Sequence, residues 1–127
     1  MNESPRAVDL VVRAFPLLDG RLDAFRALCG EVTGERAVAA KEFYSRYGVA
    51  RETWHLQSGP DGRPWVICVT QIAERSVPEV AADYAAATAG FDAWLKSRVL
   101  ELTEIDLDTQ PLGPATECLF DTRDLEA

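Results

Sequence analysis

Trp65-Val66-Ile67-Cys68-Val69-Thr70-Gln71-Ile72 is the stretch whose reading decides the fold. It is rich in β-branched residues and apolar almost throughout. Such a strand expects cover on both faces and therefore a central place in a sheet. The residues before it, Ser58-Gly59-Pro60-Asp61-Gly62-Arg63-Pro64, carry the glycines and prolines of a turn-rich loop. Before the loop, Arg51 to Gln57 reads as a second strand. Its pleat sets Thr53, His55 and Gln57 on one face and Glu52, Trp54 and Leu56 on the other. Strand, loop and strand make a hairpin.

Working outward to the N-terminal side, Val8 to Phe15 reads as a strand stopped by Pro16. Val8, Leu10, Val12 and Ala14 form an apolar face; Asp9, Val11, Arg13 and Phe15 form a mixed one. Leu18-Asp19-Gly20 is a turn in which Asp19 can cap the helix that follows, from about Arg21 to Glu31. Thr33-Gly34 weakens that helix. A second helical stretch, Glu35 to Tyr47, ends at Gly48, a natural residue just past a helix C-terminus.

On the C-terminal side, Ser76 and Glu79 have capping-box spacing and open an alanine-rich helix. Gly90 interrupts it, and Phe91, Trp94, Leu95, Val99 and Leu102 then mark a further helical stripe. Residues 108–114 form a loop. Ala115-Thr116-Glu117-Cys118-Leu119-Phe120-Asp121 alternates and reads as a last strand.

The resulting order, β-α-β-β-α-β, predicts one α+β domain over residues 1–127, with flexible ends at 1–7 and 123–127. Two split βαβ units predict the ferredoxin-like arrangement, a four-stranded antiparallel sheet in the order 4-1-3-2 with helices on one face. In that order Cys68 and Cys118 lie two strands apart, about 9–10 Å, too far for a disulfide. The face without helices is expected to carry Val11, Phe15 and Val69 or Cys68. That is too apolar to leave wet, and pairing through a two-fold axis would make a homodimer.

Phe15-Pro16-Leu17-Leu18-Asp19-Gly20-Arg21-Leu22-Asp23-Ala24-Phe25 resembles the first strand, turn and helix of the dimeric α+β barrel superfamily. That superfamily includes cofactor-free antibiotic-biosynthesis monooxygenases, haem-degrading and haem-binding relatives, and stress-responsive barrel proteins. Phe91-Asp92-Ala93-Trp94-Leu95-Lys96, Val99-Leu100-Glu101-Leu102 and Ile105-Asp106-Leu107 resemble a small bacterial family of the same architecture. The resemblance covers most of the chain, but its motifs are hydrophobic and structural. It implies a dimeric barrel and brings no catalytic residue with it.

The chain's 127 residues carry a net charge of −8. This argues against a nucleic-acid binder, which needs a Lys/Arg excess, and against adsorption to anionic membranes. No apolar run approaches the roughly 20 residues of a membrane span. The polar opening, Met1 to Arg6, has no apolar signal core, so a cytoplasmic protein is expected. The acidity is local. Residues 101–127 hold Glu101, Glu104, Asp106, Asp108, Glu117, Asp121, Asp124 and Glu126 against Arg123 alone. On the last strand, Glu117 and Asp121 would guard a sheet edge or meet arginines such as Arg13. One histidine excludes metal sites that need two imidazoles, and the acidic run lacks the Asp-x-Asp-x-Asp-Gly loop of calcium sites. Cys29, Cys68 and Cys118 form no Cys-x-x-Cys pair and are expected to be buried free thiols. No phosphate loop, nucleophile elbow or other cofactor motif is present, so no metal and no cofactor are expected.

Two residues stand out for chemistry. His55, the chain's one imidazole, could act as a general base, oriented by Gln57 or Glu52, or be a hydrogen-bonded structural histidine. Arg13 sits mid-strand, where a charge is costly unless paired. It reads as a clamp for a carboxylate or phenolate, or as half of an ion pair. Tyr44, Tyr47, Trp54 and Trp94 could line an apolar pocket or form plain core. Asp92 could cap the helix after Gly90 or serve as a pocket acid. The expected function is a homodimeric barrel that binds a small apolar or aromatic metabolite. The alternative is a cofactor-independent monooxygenase, isomerase or cyclase acting on an aromatic or polyketide-like substrate, in a pocket of several hundred Å³.

Overall fold

A computed structural model describes residues 9–125. Strand β1 is Asp9–Pro16, helices α1 and α2 are Leu22–Thr33 and Ala37–Arg46, and strands β2 and β3 are Val49–Ser58 and Pro64–Ile72. Helices α3 and α4 are Val77–Ala86 and Gly90–Thr103, and a 3₁₀ turn, Thr122–Leu125, follows. Val8 and the ends at 1–7 and 126–127, expected to extend a strand or to be flexible, lie outside the described residues.

The sheet has three antiparallel strands in the order β1-β3-β2. The hairpin is as expected, and β3, the most apolar strand, lies at its centre. The four-stranded 4-1-3-2 sheet is not formed, so the ferredoxin-like, dimeric-barrel expectation is overturned. The missing element is residues 115–121, which run as irregular, largely exposed chain. The segment follows Pro111, Gly113 and Pro114. It touches the outer edge of β1 through the Thr116 hydroxyl, which donates to the Val12 carbonyl. Alternation in sequence describes a possible pleat; a strand exists only where a ladder of backbone bonds accompanies it.

The sheet faces are also the reverse of the expected ones. Arg13 pairs with Cys68 across β1 and β3, Val11 with Thr70 and Phe15 with Val66. Trp54 pairs with Cys68, and Glu52 with Thr70, across β2 and β3. These residues face the helices, and Val66, Cys68, Thr70 and Ile72 are buried there. Val12, Ala14, Ile67 and Val69 lie on the open face. Arg13 is tolerated under the helices because Glu52 neutralises it, so apolarity alone did not choose the face.

Helices α1, α2, α3 and α4 cover the inner face through Phe25, Leu28, Phe43, Val80, Tyr84 and Leu95. The Ser76 cap is formed, with Glu79 N–H donating to Ser76 Oγ at 3.2 Å. The expected Asp19 cap is not; the residue before α1 is Arg21, with no side-chain cap. Gly48 follows α2 at φ +69°, and a Cβ there would lie 2.8 Å from the Ala73 carbonyl oxygen. Both the left-handed turn and the close approach require glycine at that point.

Candidate functional site

Between sheet and helices lies a cavity of about 120 Å³. Most of its wall is apolar, from Phe15, Phe25, Leu28, Phe43, Val66 and Leu95 among others. Residues after α4 form one side. Ile105, Leu107, Pro111, Leu112 and Gly113 pass over it as an irregular strap. Lys96 pins this strap. Its ammonium donates to the Tyr84 and Ala87 carbonyls at 2.6 Å each and to Asp108 Oδ1 at 2.8 Å. One buried cation thus binds two carbonyls at the end of α3 and fixes the loop after α4.

A polar cluster is set into this apolar wall. Glu52 accepts from the Thr70 hydroxyl at Oε1, 2.6 Å away. At Oε2 it accepts from the Tyr44 hydroxyl at 2.6 Å and the Trp54 indole N–H at 2.8 Å. Arg13 Nη2 lies 3.7 Å from Glu52 Oε1, with the two side chains only 12% and 13% exposed. The same nitrogen donates to Thr70 Oγ1 and, at 3.0 Å, to Cys68 Sγ. The strand register dictates this assembly: Arg13 and Trp54 flank Cys68, and Glu52 flanks Thr70. Three neighbouring strands therefore present cation, hydroxyl and carboxylate on one pleat face.

Burial pushes the Tyr44 hydroxyl far above the usual phenol range, and the Glu52 charge adds to it, so Tyr44 stays protonated and donates. The Cys68 thiol is pushed up to about 12, first by burial and then by Glu52, against the opposing pull of Arg13. It is therefore no thiolate nucleophile at neutral pH. Tyr84, also in the wall, is raised by burial and by the charges of Asp92 and Glu52. Two polar atoms here have no partner: Arg13 Nε and the Tyr84 hydroxyl.

The residues singled out from the sequence separate accordingly. Arg13, Tyr44, Tyr47 and Trp54 line the cavity. Trp94 does not; it packs on the core edge beneath the Arg36 guanidinium, 4.0 Å from its ring centre. His55 is exposed on the opposite face of the sheet, where its Nε2 meets Thr53 Oγ1 at 2.9 Å. Glu52, a suggested partner for His55, points away from it by strand alternation. Arg13 pairs with Glu52 and not with the acidic C-terminal segment. Asp92 is neither a cap nor a pocket acid, and its ion pair with Arg46 joins α4 to α2. Cys68 is buried, whereas Cys29 is partly exposed and Cys118 fully so, and none is in a disulfide.

Sequence reasoning missed Thr70 and Tyr84 as site residues and offered Glu52 only as a partner for His55. A signal for Glu52 and Thr70 was present. Glu52 shares a pleat face with Trp54, and Thr70 is a lone hydroxyl on the face shared by Val66, Cys68 and Ile72. Tyr84 in an alanine-rich helix gave none. Among the described residues no group of three or more His, Cys, Asp or Glu side chains could hold a metal. No helix there is long and apolar enough to cross a membrane. Comparison with protein-family models, with curated proteins and with solved structures finds no match to this chain.

Proposed function

We propose that this protein binds a small apolar or aromatic metabolite in the cavity between sheet and helices and performs no chemistry on it. The observation that carries this reading is the 120 Å³ apolar cavity with the Arg13–Glu52 cluster in its wall. Its size is near that of an engineered cavity of roughly 150 Å³ that takes up benzene, and below the several hundred Å³ of a typical substrate pocket. The alternative of a cofactor-independent oxygenase, isomerase or cyclase needs a free base in the wall. Glu52 is engaged at both oxygens, and His55 lies on the far face.

Toluene titration followed by Trp54 fluorescence tests the reading. Saturable quenching or enhancement is expected, and Leu112→Trp, which fills the cavity from the strap, should abolish it while leaving the fold intact. No saturable toluene binding, or binding unchanged in Leu112→Trp, would overturn the proposal.

We also propose that two copies pair through the open sheet face. Val12, Ala14, Ile67 and Val69 there are apolar and uncharged, so two chains of net charge −8 can meet over these four residues without like charges in contact. A sedimentation mass equal to the monomer at micromolar concentration would overturn the pairing.

A further inference from the structure

The wall of the cavity is of two kinds. Apart from Leu17 and Tyr47, both buried, the residues that line it from Arg13 to Thr103 lie in helices or strands. Helix and ladder bonds hold their backbones, so that part of the wall moves only with a whole element. Ile105, Leu107, Pro111, Leu112 and Gly113 complete the wall from the strap, which belongs to no helix or strand. A ligand that enters or leaves must therefore displace the strap or shift an element of the core.

The strap's own bonds are local. The Thr109 and Gln110 N–H groups donate to the Asp106 carbonyl at 3.2 and 2.9 Å, and the Gly113 N–H donates to the Gln110 carbonyl at 2.8 Å. The Asp108 N–H donates to Asp106 Oδ1 at 2.9 Å. These turns hold residues 106–113 together and do not join them to sheet or helices. Among the described residues, the one polar bond from 106–113 to a helix or strand is that of Lys96 Nζ to Asp108 Oδ1, at 2.8 Å. Its two ends differ. The Lys96 side chain is 9% exposed and stays anchored by the Tyr84 and Ala87 carbonyls, whereas the Asp108 side chain is 61% exposed and can turn to water. Left-handed residues flank the unit, Glu104 at φ +67° where α4 ends and Gly113 at φ +79°.

We propose that residues 105–113 are a lid on the cavity and that the Lys96–Asp108 contact is its latch, with ligand entering and leaving while the latch is open. This rests on the ligand-binding reading above. Lys96 belongs to α4, so the fixed half of the latch stays with the core when the lid moves. Opening brings Ile105, Leu107 and Leu112 into water, which favours the shut state with or without ligand. The latch sets how often the lid opens and acts alike on the empty and the filled cavity. It therefore governs both exchange rates and leaves the affinity unchanged.

The test is toluene exchange on the full chain, with association and dissociation rates read from NMR line shapes at partial saturation and the affinity from calorimetry, in the native protein and in Asp108→Ala. The Asp108 side chain is mostly exposed and Lys96 keeps its two carbonyls, so the variant should fold. Both rates should rise about fivefold, the scale of a partly exposed ion pair, while the dissociation constant stays within about twofold. Asp108→Asn, which leaves Lys96 an oxygen to donate to, should fall between the two proteins. The lid is overturned if both rates are unchanged in Asp108→Ala. It is equally overturned if that variant binds toluene more weakly with an unchanged association rate, because the contact would then support the filled cavity without gating it. Either result leaves the ligand-binding reading standing, whereas failure of toluene to bind the native protein removes both.

Discussion

Arg46–Asp92 and Arg13–Glu52 each join an arginine to a carboxylate inside this fold, yet the first cluster is closed and the second is left open. Asp92 accepts from Arg46 Nη1 and Nη2 at 3.1 and 3.2 Å and from the Tyr47 hydroxyl at 2.6 Å. Glu42 holds the outer edge of the same guanidinium, which stays 42% exposed. This pair clamps α2 to α4 and leaves no buried polar atom of the cluster without a partner. The Arg13–Glu52 pair is buried on both sides and joins three strands, but Arg13 Nε within it has no partner. A closed network contributes rigidity, whereas an open one leaves a buried donor unsatisfied at a cost. The same residue types therefore serve as a brace at the helix layer and line the proposed binding cavity at the sheet.

This comparison can be broken most forcefully at Glu52. Glu52→Leu strands the Arg13 charge and leaves Tyr44, Trp54 and Thr70 without their acceptor. Loss of one member of a buried pair costs about 3–5 kcal/mol, and chemical denaturation should show a loss of that size. Adding Arg13→Met should recover most of it, because an apolar pair of similar volume is often neutral or stabilising. The double variant should then fold and keep its toluene affinity. A double variant as unstable as the single would show that the cluster's worth lies in its hydroxyl and indole bonds, with the ion pair secondary.

Asp92→Asn should cost less, about 1–3 kcal/mol, because Arg46 can turn to water and Glu42. Its signature is in the pH dependence. Burial by itself would raise the Asp92 carboxyl, but the bonds from Arg46 and Tyr47 outweigh it and hold the group below the ordinary carboxylate range. A depressed folded value means stability that is fully present above the unfolded value of about 3.9 and is lost as pH falls through the folded one. Native protein should therefore lose stability through this limb, and Asp92→Asn should flatten it. A limb of unchanged steepness in Asp92→Asn would take the brace role away from this pair.

Legibility in the sequence followed the range of the interactions involved. The hairpin of β2 and β3, the central place of β3 and the Ser76 cap rest on neighbours in sequence, and each was readable. The last strand was not, because whether residues 115–121 pair with β1 depends on chain geometry after Pro111 and Pro114. The covered face of β1 was misread for a related reason. Arg13 argues against burial until Glu52, 39 positions later in the chain, is known to sit across Thr70. Arg13, Tyr44, Tyr47 and Trp54 were legible as candidates from residue type, but their convergence needed the register. His55 drew notice through its residue type alone, and residue type says nothing about which side of a pleat a residue occupies.

The smallest expected effect is at His55, and it tests the contrast between the two sheet faces directly. The imidazole is exposed, and its Thr53 bond lies at the surface, where water replaces a lost partner at little cost. It stands beside Trp54 in sequence, yet that one-residue offset places it across the sheet from the cavity. His55→Ala should therefore change stability by no more than about 0.5 kcal/mol and leave toluene affinity within about twofold. Any effect should fall on the proposed pairing between copies through the open face. A His55→Ala variant that lost ligand binding while remaining folded would mean that the two faces communicate, and the separation of a binding side from an assembly side would have to be given up.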